Sequence, residues 1–79
     1  MYNAFILYSS DGCHLCEEAL ALCHQLQTPI MLTIVDIVDE EDLVTHYGEH
    51  IPVLQRDSDG KELFWPFDIT TLNQFIKGT

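Results

Sequence analysis

Two cysteines separated by two residues carry the strongest chemical signal in the sequence. Cys13 and Cys16 follow a short apolar run at residues 4–8 and a turn-forming segment at residues 9–12, and they begin a stretch of helical periodicity. A thiol at a helix N-terminus faces unpaired N–H groups and the positive end of the helix dipole, which stabilise the thiolate. Ordinary thiols have a pKa of ~8.5, whereas thiols in such motifs span roughly 3.5–7.5. We therefore predict that Cys13 is a nucleophile for thiol–disulfide exchange.

The second cysteine has the spacing that such an exchange requires. Cys16 lies on the same edge of the predicted helix, close enough to attack a mixed disulfide on Cys13 and release the partner as a thiol. His14, if protonated, lowers the pKa of Cys13 further, while Glu17 and Glu18 oppose that effect. We keep His14 as a candidate substrate-binding residue, with a plain solvent-facing residue as the alternative.

Metal binding is the main alternative for this cluster. The five residues Cys13, His14, Cys16, Cys23 and His24 supply the ligand types that zinc prefers. Two helical turns, about 10 Å by helix rise, separate Cys16 from Cys23, which disfavours a site within one chain. A cluster bridged between two chains stays as an alternative. Cys23 is expected to be a small buried apolar residue, with a regulatory thiol as its alternative.

The elements that must position the cysteines are predicted in the order β-α-β-α-β-β-α. Strands are predicted at residues 4–8, 30–35, 51–55 and 61–65, and helices from residue 13 to the Thr28-Pro29 step, at residues 40–47 and after residue 68. The first strand is expected to be covered on both faces, and the second is expected to be a buried strand. Alternation of strands and helices predicts parallel pairing at the start of the chain, and the tight turn predicts an antiparallel hairpin at its end.

Local signals set the ends of these elements. The sequence Asp-Ser-Asp-Gly at residues 57–60 predicts the hairpin turn, Gly48 ends the second helix, and Asp68 caps the third. His46 and His50 flank the second helix and are expected at the surface. Leu15, Ala19, Leu22 and Leu26 are predicted to form the buried stripe of the first helix, with Cys16, Leu20 and Cys23 beside it.

Composition limits the classes of partner. The 79 residues are expected to form one domain, 1–79, and carry thirteen acidic against three basic side chains, a net charge of −10. Such a surface excludes nucleic acids and anionic lipid as partners, and it either keeps the protein soluble or steers a basic partner. An odd number of cysteines, with no signal peptide or membrane-spanning segment, predicts a reducing cytoplasmic location. We expect a monomer.

The sequence resembles glutaredoxin-like proteins of the thioredoxin superfamily, especially a small bacterial branch. The resemblance is carried by LYSSDGCHLCE at residues 7–17, IPVL at residues 51–54 and LFWPFD at residues 63–68. It implies an α/β thioredoxin-like fold, with a four-stranded mixed sheet flanked by three helices, and a thiol–disulfide oxidoreductase acting on protein or small-molecule thiols and disulfides. It further implies that Pro52 is cis and lies against the cysteine pair, and that the backbone of Ile51 holds an extended thiol substrate.

Three departures bear on the ligand. The family usually has Pro-Tyr between the cysteines, a Gly-Gly turn later in the chain and a basic residue ahead of the motif. Here these places hold His14-Leu15, Trp65-Pro66-Phe67-Asp68 and Ser10-Asp11. They argue against glutathione as the cognate ligand, although it stays a candidate reductant, and no metal or organic cofactor is expected. Two alternative functions remain: a redox-gated adaptor that uses Trp65, Phe67 and the acidic face, and a metal or cluster carrier.

Overall fold

The computed structural model describes residues 4–26 and 30–77 of the chain. Its elements are β1 (Ala4–Ser9), α1 (His14–His24), β2 (Met31–Asp36), a 3-10 turn (Ile37–Asp39), α2 (Glu41–Tyr47), β3 (Val53–Arg56), β4 (Glu62–Phe64) and α3 (Ile69–Ile76). The predicted order of strands and helices is confirmed, and the 3-10 turn is an addition to it. The Thr28-Pro29 step, predicted to end the first helix, lies outside the described residues.

The four strands form one mixed sheet in the order β2-β1-β3-β4. The central strand β1 pairs parallel with β2 and antiparallel with β3, and β3 pairs antiparallel with β4. Parallel pairing places the ends of β1 and β2 at one edge of the sheet, and antiparallel pairing brings the start of β3 to that same edge. The loop that leaves β1 toward α1 therefore lies beside the segment that enters β3.

Both faces of the sheet are covered. On one face, Phe5 and Leu7 of β1 and Leu54 of β3 form the main core with side chains from α1 and α3: Ala19, Cys23, Leu72 and Ile76, joined by Phe67. On the other face, Val53 packs with Ile37 and Tyr47. The alternation along β1 and β3 follows from the two-residue period of a strand. It makes β1 the rigid support for the loop that follows it.

Two predictions about burial are wrong. Residues 30–35 do not form a buried strand: β2 is one of the two outer strands of the sheet and leaves Met31 and Ile34 exposed. Leu15 does not belong to the buried stripe of α1 and is 43% exposed, while Cys16, Ala19 and Cys23 point into the protein. The helix is thus rotated so that the second cysteine of the motif faces the core.

The local signals correctly placed the turns and caps. Gly60 adopts a left-handed φ of 74° in the hairpin turn, and the Asp68 carboxylate accepts the Thr71 N–H at the start of α3. Gly48 ends α2 in right-handed conformation, and a Cβ there would lie 2.5 Å from the Val44 carbonyl oxygen. In the part of the chain that the structure describes, none of the helices has the length and apolarity needed to span a membrane.

Candidate active site at the start of helix α1

A tight turn connects β1 to the cysteine motif. Gly12 has a φ of 77°, a left-handed conformation that glycine adopts without steric cost. The Cys13 N–H donates to the Ser10 carbonyl at 3.2 Å and closes the turn. The chain therefore reverses direction directly after the central strand and presents Cys13 at the sheet edge.

Cys13 is the N-cap residue of α1. Its backbone is extended, with φ −79° and ψ 107°, and its Sγ accepts the Cys16 N–H at 3.2 Å. Its carbonyl accepts the Glu17 N–H at 3.3 Å, the first bond of the helix. The sulfur thus takes the place that an oxygen acceptor occupies in an ordinary N-cap, where the helix dipole favours negative charge.

The two sulfurs are joined in a disulfide, with the Cα atoms 5.2 Å apart. They differ in access to solvent: Cys13 is half-buried at the sheet edge, whereas Cys16 is only 5% exposed and faces the protein interior. Because Cys16 is buried and Cys13 is only half-buried, Cys13 is the cysteine that a partner in solution can reach first.

Ile51 and Pro52 lie at the same edge of the sheet as the disulfide. The antiparallel register pairs Tyr8, near the end of β1, with Val53, the first residue of β3. Pro52 directly precedes Val53 and therefore lies on the side of the loop that holds Cys13. Pro52 is fully buried, and the Ile51–Pro52 peptide bond is cis. A second cis bond, between Trp65 and Pro66, was not predicted. The structure therefore brings the predicted site residues Cys13, Cys16, Ile51 and Pro52 to one edge, with His14 directly after Cys13.

His14 and Ile51 differ in their environment. His14 is exposed in the first turn of α1. Ile51 is half-buried and packs against the Ile37, Tyr47 and Val53 cluster, and its N–H donates to the Tyr47 carbonyl at 3.1 Å. The Ile51 N–H is therefore already engaged within the chain, so any substrate contact from this backbone falls to its carbonyl.

A groove of about 560 Å³ opens beside the disulfide, on the side of β2. Leu7, Leu20 and Ile34 supply its apolar part, and the acidic residues Asp11, Glu17 and Asp36 line it together with Cys13 and Cys16. Sequence reasoning missed this groove because its walls come from three segments that only the parallel pairing of β1 and β2 brings together.

The third cysteine lies apart from this site. Cys23 is buried in the main core, and burial raises the pKa of its thiol, which disfavours the reactive thiolate. Among residues 4–26 and 30–77, no three side chains of histidine, cysteine, aspartate or glutamate converge in a way that could hold a metal ion.

Phe67 and Asp68, two residues singled out from the sequence, both have structural roles. Phe67 is 7% exposed and belongs to the main core, so the prediction that it lies on an adaptor surface is wrong. The Asp68 carboxylate is the N-cap of α3, and the hydrogen bond from the Thr71 N–H lowers its pKa.

The arrangement of strands, helices and cysteine pair defines a thioredoxin-like fold. The sequence matches the family described as Glutaredoxin-like domain (DUF836) over residues 4–77, and the chain belongs to that family. A comparison with curated proteins finds no match.

Solved structures of similar proteins support the same assignment. The X-ray structure of XcR50 from X. campestris has 37% identity and a TM-score of 0.77, covering 95% of this chain and 97% of that one. Its solution structure gives 35% identity and a TM-score of 0.75, over 96% and 95% of the two chains. The solution structure of Ne2328 from Nitrosomonas europaea has 29% identity and a TM-score of 0.81, over 95% and 92%.

Proposed function

We propose that the chain is a thiol–disulfide oxidoreductase that works through a dithiol–disulfide couple of Cys13 and Cys16. The observation that carries the proposal is the unequal placement of the two sulfurs: Cys13 is accessible and caps a helix, and Cys16 is buried behind it within disulfide distance. Membership of the glutaredoxin-like family agrees with a thiol redox role.

In the reduced protein, the Cys13 thiolate attacks one sulfur of a substrate disulfide. The S–S bond of the substrate breaks, and the leaving thiolate takes a proton from solvent. Cys16 then loses its proton and attacks the Cys13 sulfur, releasing the second substrate thiol. Two electrons pass to the substrate, which becomes a dithiol, and the protein is left with the Cys13–Cys16 disulfide of the structure.

The protein's own groups supply positioning and electrostatic stabilisation. The Cys16 N–H and the α1 dipole stabilise negative charge on the Cys13 sulfur. Pro52 and the Ile51 carbonyl form the β3 side of the site, where that carbonyl accepts an N–H from an extended substrate. A thiol reductant restores the dithiol, and two equivalents of glutathione would balance that step.

The test is turnover of an uncharged disulfide-linked reporter peptide in the presence of a thiol reductant. Cys13→Ser removes the attacking sulfur and is expected to abolish turnover. Cys23→Ser, which changes a buried thiol outside the site, is the matched control and is expected to retain it. Full turnover by Cys13→Ser would overturn the proposal.

A further inference from the structure

The groove on the β2 side of the disulfide differs in character from the β3 side. β1 lies between the two strands, so a substrate at Cys13 can contact both sides at once. On the β3 side the site offers Pro52 and the half-buried Ile51, which are uncharged. On the β2 side it offers the groove lined by three acidic residues, Asp11, Glu17 and Asp36, of which the Asp36 carboxylate also accepts the Val38 N–H at 3.1 Å.

The arginine and the two lysines of the protein all lie at the other end. Arg56 pairs with Phe5 at the start of β1, and its guanidinium donates to the Phe75 carbonyl in the last turn of α3. The Lys61 carbonyl accepts the Arg56 N–H at 2.8 Å, and Lys77 directly follows α3. Arg56, Lys61 and Lys77 therefore lie at the end of the strands that is opposite the disulfide.

The acidic side chains are concentrated toward the disulfide edge. Beyond the three carboxylates of the groove, the segment that follows β2 adds Asp39, Glu40, Glu41 and Asp42, all exposed. At the basic end, Asp57 and Asp59 of the hairpin turn offset part of the positive charge. The molecule is thus polarised along its strands, with its negative end at the redox pair, and such a field steers cations toward that end.

We propose that the substrate of this site is a polypeptide disulfide or dithiol that carries lysine or arginine next to its cysteine. The inference rests on the proposed exchange chemistry. The cysteine of the substrate meets Cys13, its backbone lies on the Ile51 side, and its cationic side chain enters the groove. The apolar floor formed by Leu20 and Ile34 packs against the methylene stem of that side chain. Oxidised glutathione, which is anionic, is disfavoured by the same charges.

The test compares two disulfide-linked peptides that differ only in the residues flanking cysteine, lysine in one and glutamate in the other. The pre-reduced protein reacts with each in a single turnover, so no regenerating enzyme contributes its own preference. Each rate constant is divided by the rate constant with which a small uncharged dithiol reduces the same peptide. This normalisation removes differences in the intrinsic reactivity of the two peptide disulfides. We expect a preference for the lysine peptide on the order of tenfold at low ionic strength, and near unity at about 1 M salt, where the Debye length is ~3 Å.

Matched variants locate the effect in the groove. Glu17→Gln combined with Asp11→Asn is expected to lower the lysine preference several-fold. Glu18→Gln combined with Asp57→Asn removes the same charge at exposed positions outside the groove and is expected to leave most of the preference. The ratio of two rates cancels any change in the reactivity of Cys13 itself.

The possible outcomes separate the two proposals. Equal rates for both peptides, or an equal loss of preference in the two double variants, would overturn the charge-selective groove while leaving the oxidoreductase intact. Failure of the protein to reduce either peptide would overturn the proposed exchange itself.

Discussion

Cys13 and Cys16 are connected twice at the start of α1, by their disulfide and by the hydrogen bond that the Cys16 N–H donates to the Cys13 sulfur at 3.2 Å. The hydrogen bond is the N-cap bond of α1, formed between a backbone N–H and the side chain of the cap residue. We therefore expect the Cys16 N–H to remain directed at Cys13 after reduction, as a donor to the thiolate.

The first prediction concerns the acidity of Cys13 in the reduced protein. The N–H donor and the helix dipole both favour the thiolate, so the pKa of Cys13 is expected to lie below that of an ordinary thiol. The measurement is the rate of alkylation of Cys13 as a function of pH, followed by mass spectrometry. Cys23 provides the internal comparison, because burial raises its pKa, and it is expected to react only after unfolding. An alkylation profile of Cys13 like that of a free cysteine would contradict the cap argument.

The second prediction concerns Arg56, the buried cation that connects the hairpin to α3. Its guanidinium donates to the Phe75 carbonyl, forms an ion pair with Asp59 and lies 4.7 Å from the centre of the Phe75 ring. Arg56→Met keeps most of the apolar stem but removes the donors, and we expect a loss of roughly 1.5–3 kcal/mol in the free energy of unfolding. Urea denaturation measures it. Arg56→Lys, which keeps the charge but not the planar donor geometry, is expected to recover only part of the loss. Wild-type stability of Arg56→Met would contradict this structural role.

The third prediction concerns acid stability and Asp68. The Thr71 N–H lowers the pKa of this carboxyl in the folded protein. A folded pKa below the unfolded one contributes stability above the unfolded pKa, which is ~3.9 for aspartate, and that contribution is lost as the pH falls through the folded pKa. Asp68→Asn keeps an acceptor at the cap without a titrating group. We expect it to flatten the fall in thermal stability below about pH 4, relative to the exposed control Glu18→Gln. Identical pH profiles for the two variants would exclude Asp68 as a contributor.

The sequence predicted the fold well wherever local chemistry decides. Turns and caps depend on a few adjacent residues, so the local sequence is enough to place them. This holds for the hairpin at residues 57–60, the cap at Asp68 and the end of α2 at Gly48. The order of strands and helices followed from hydrophobic periodicity together with the turn and cap residues that separate the elements.

The features that were predicted wrongly or missed depend on contacts between distant segments of the chain. Periodicity gave α1 a buried stripe but not its rotation about the helix axis, which is fixed by Cys16, Ala19 and Cys23 packing on the sheet. Residues 30–35 look like a buried strand because they are apolar, yet strand order makes them an edge. The acidic groove likewise exists only because β1, α1 and β2 meet, so no single segment of sequence could indicate it.

The most direct test of the central claim is to trap the intermediate. With Cys16→Ser, the mixed disulfide formed on Cys13 has no resolving thiol, so incubation of the reduced variant with a disulfide-linked peptide should accumulate a covalent adduct. Mass spectrometry after proteolysis should place the peptide on Cys13, while Cys13→Ser should yield no adduct. Accumulation on Cys23, or no adduct in Cys16→Ser under conditions where the wild-type protein turns over, would contradict the assigned roles of attacking and resolving thiols.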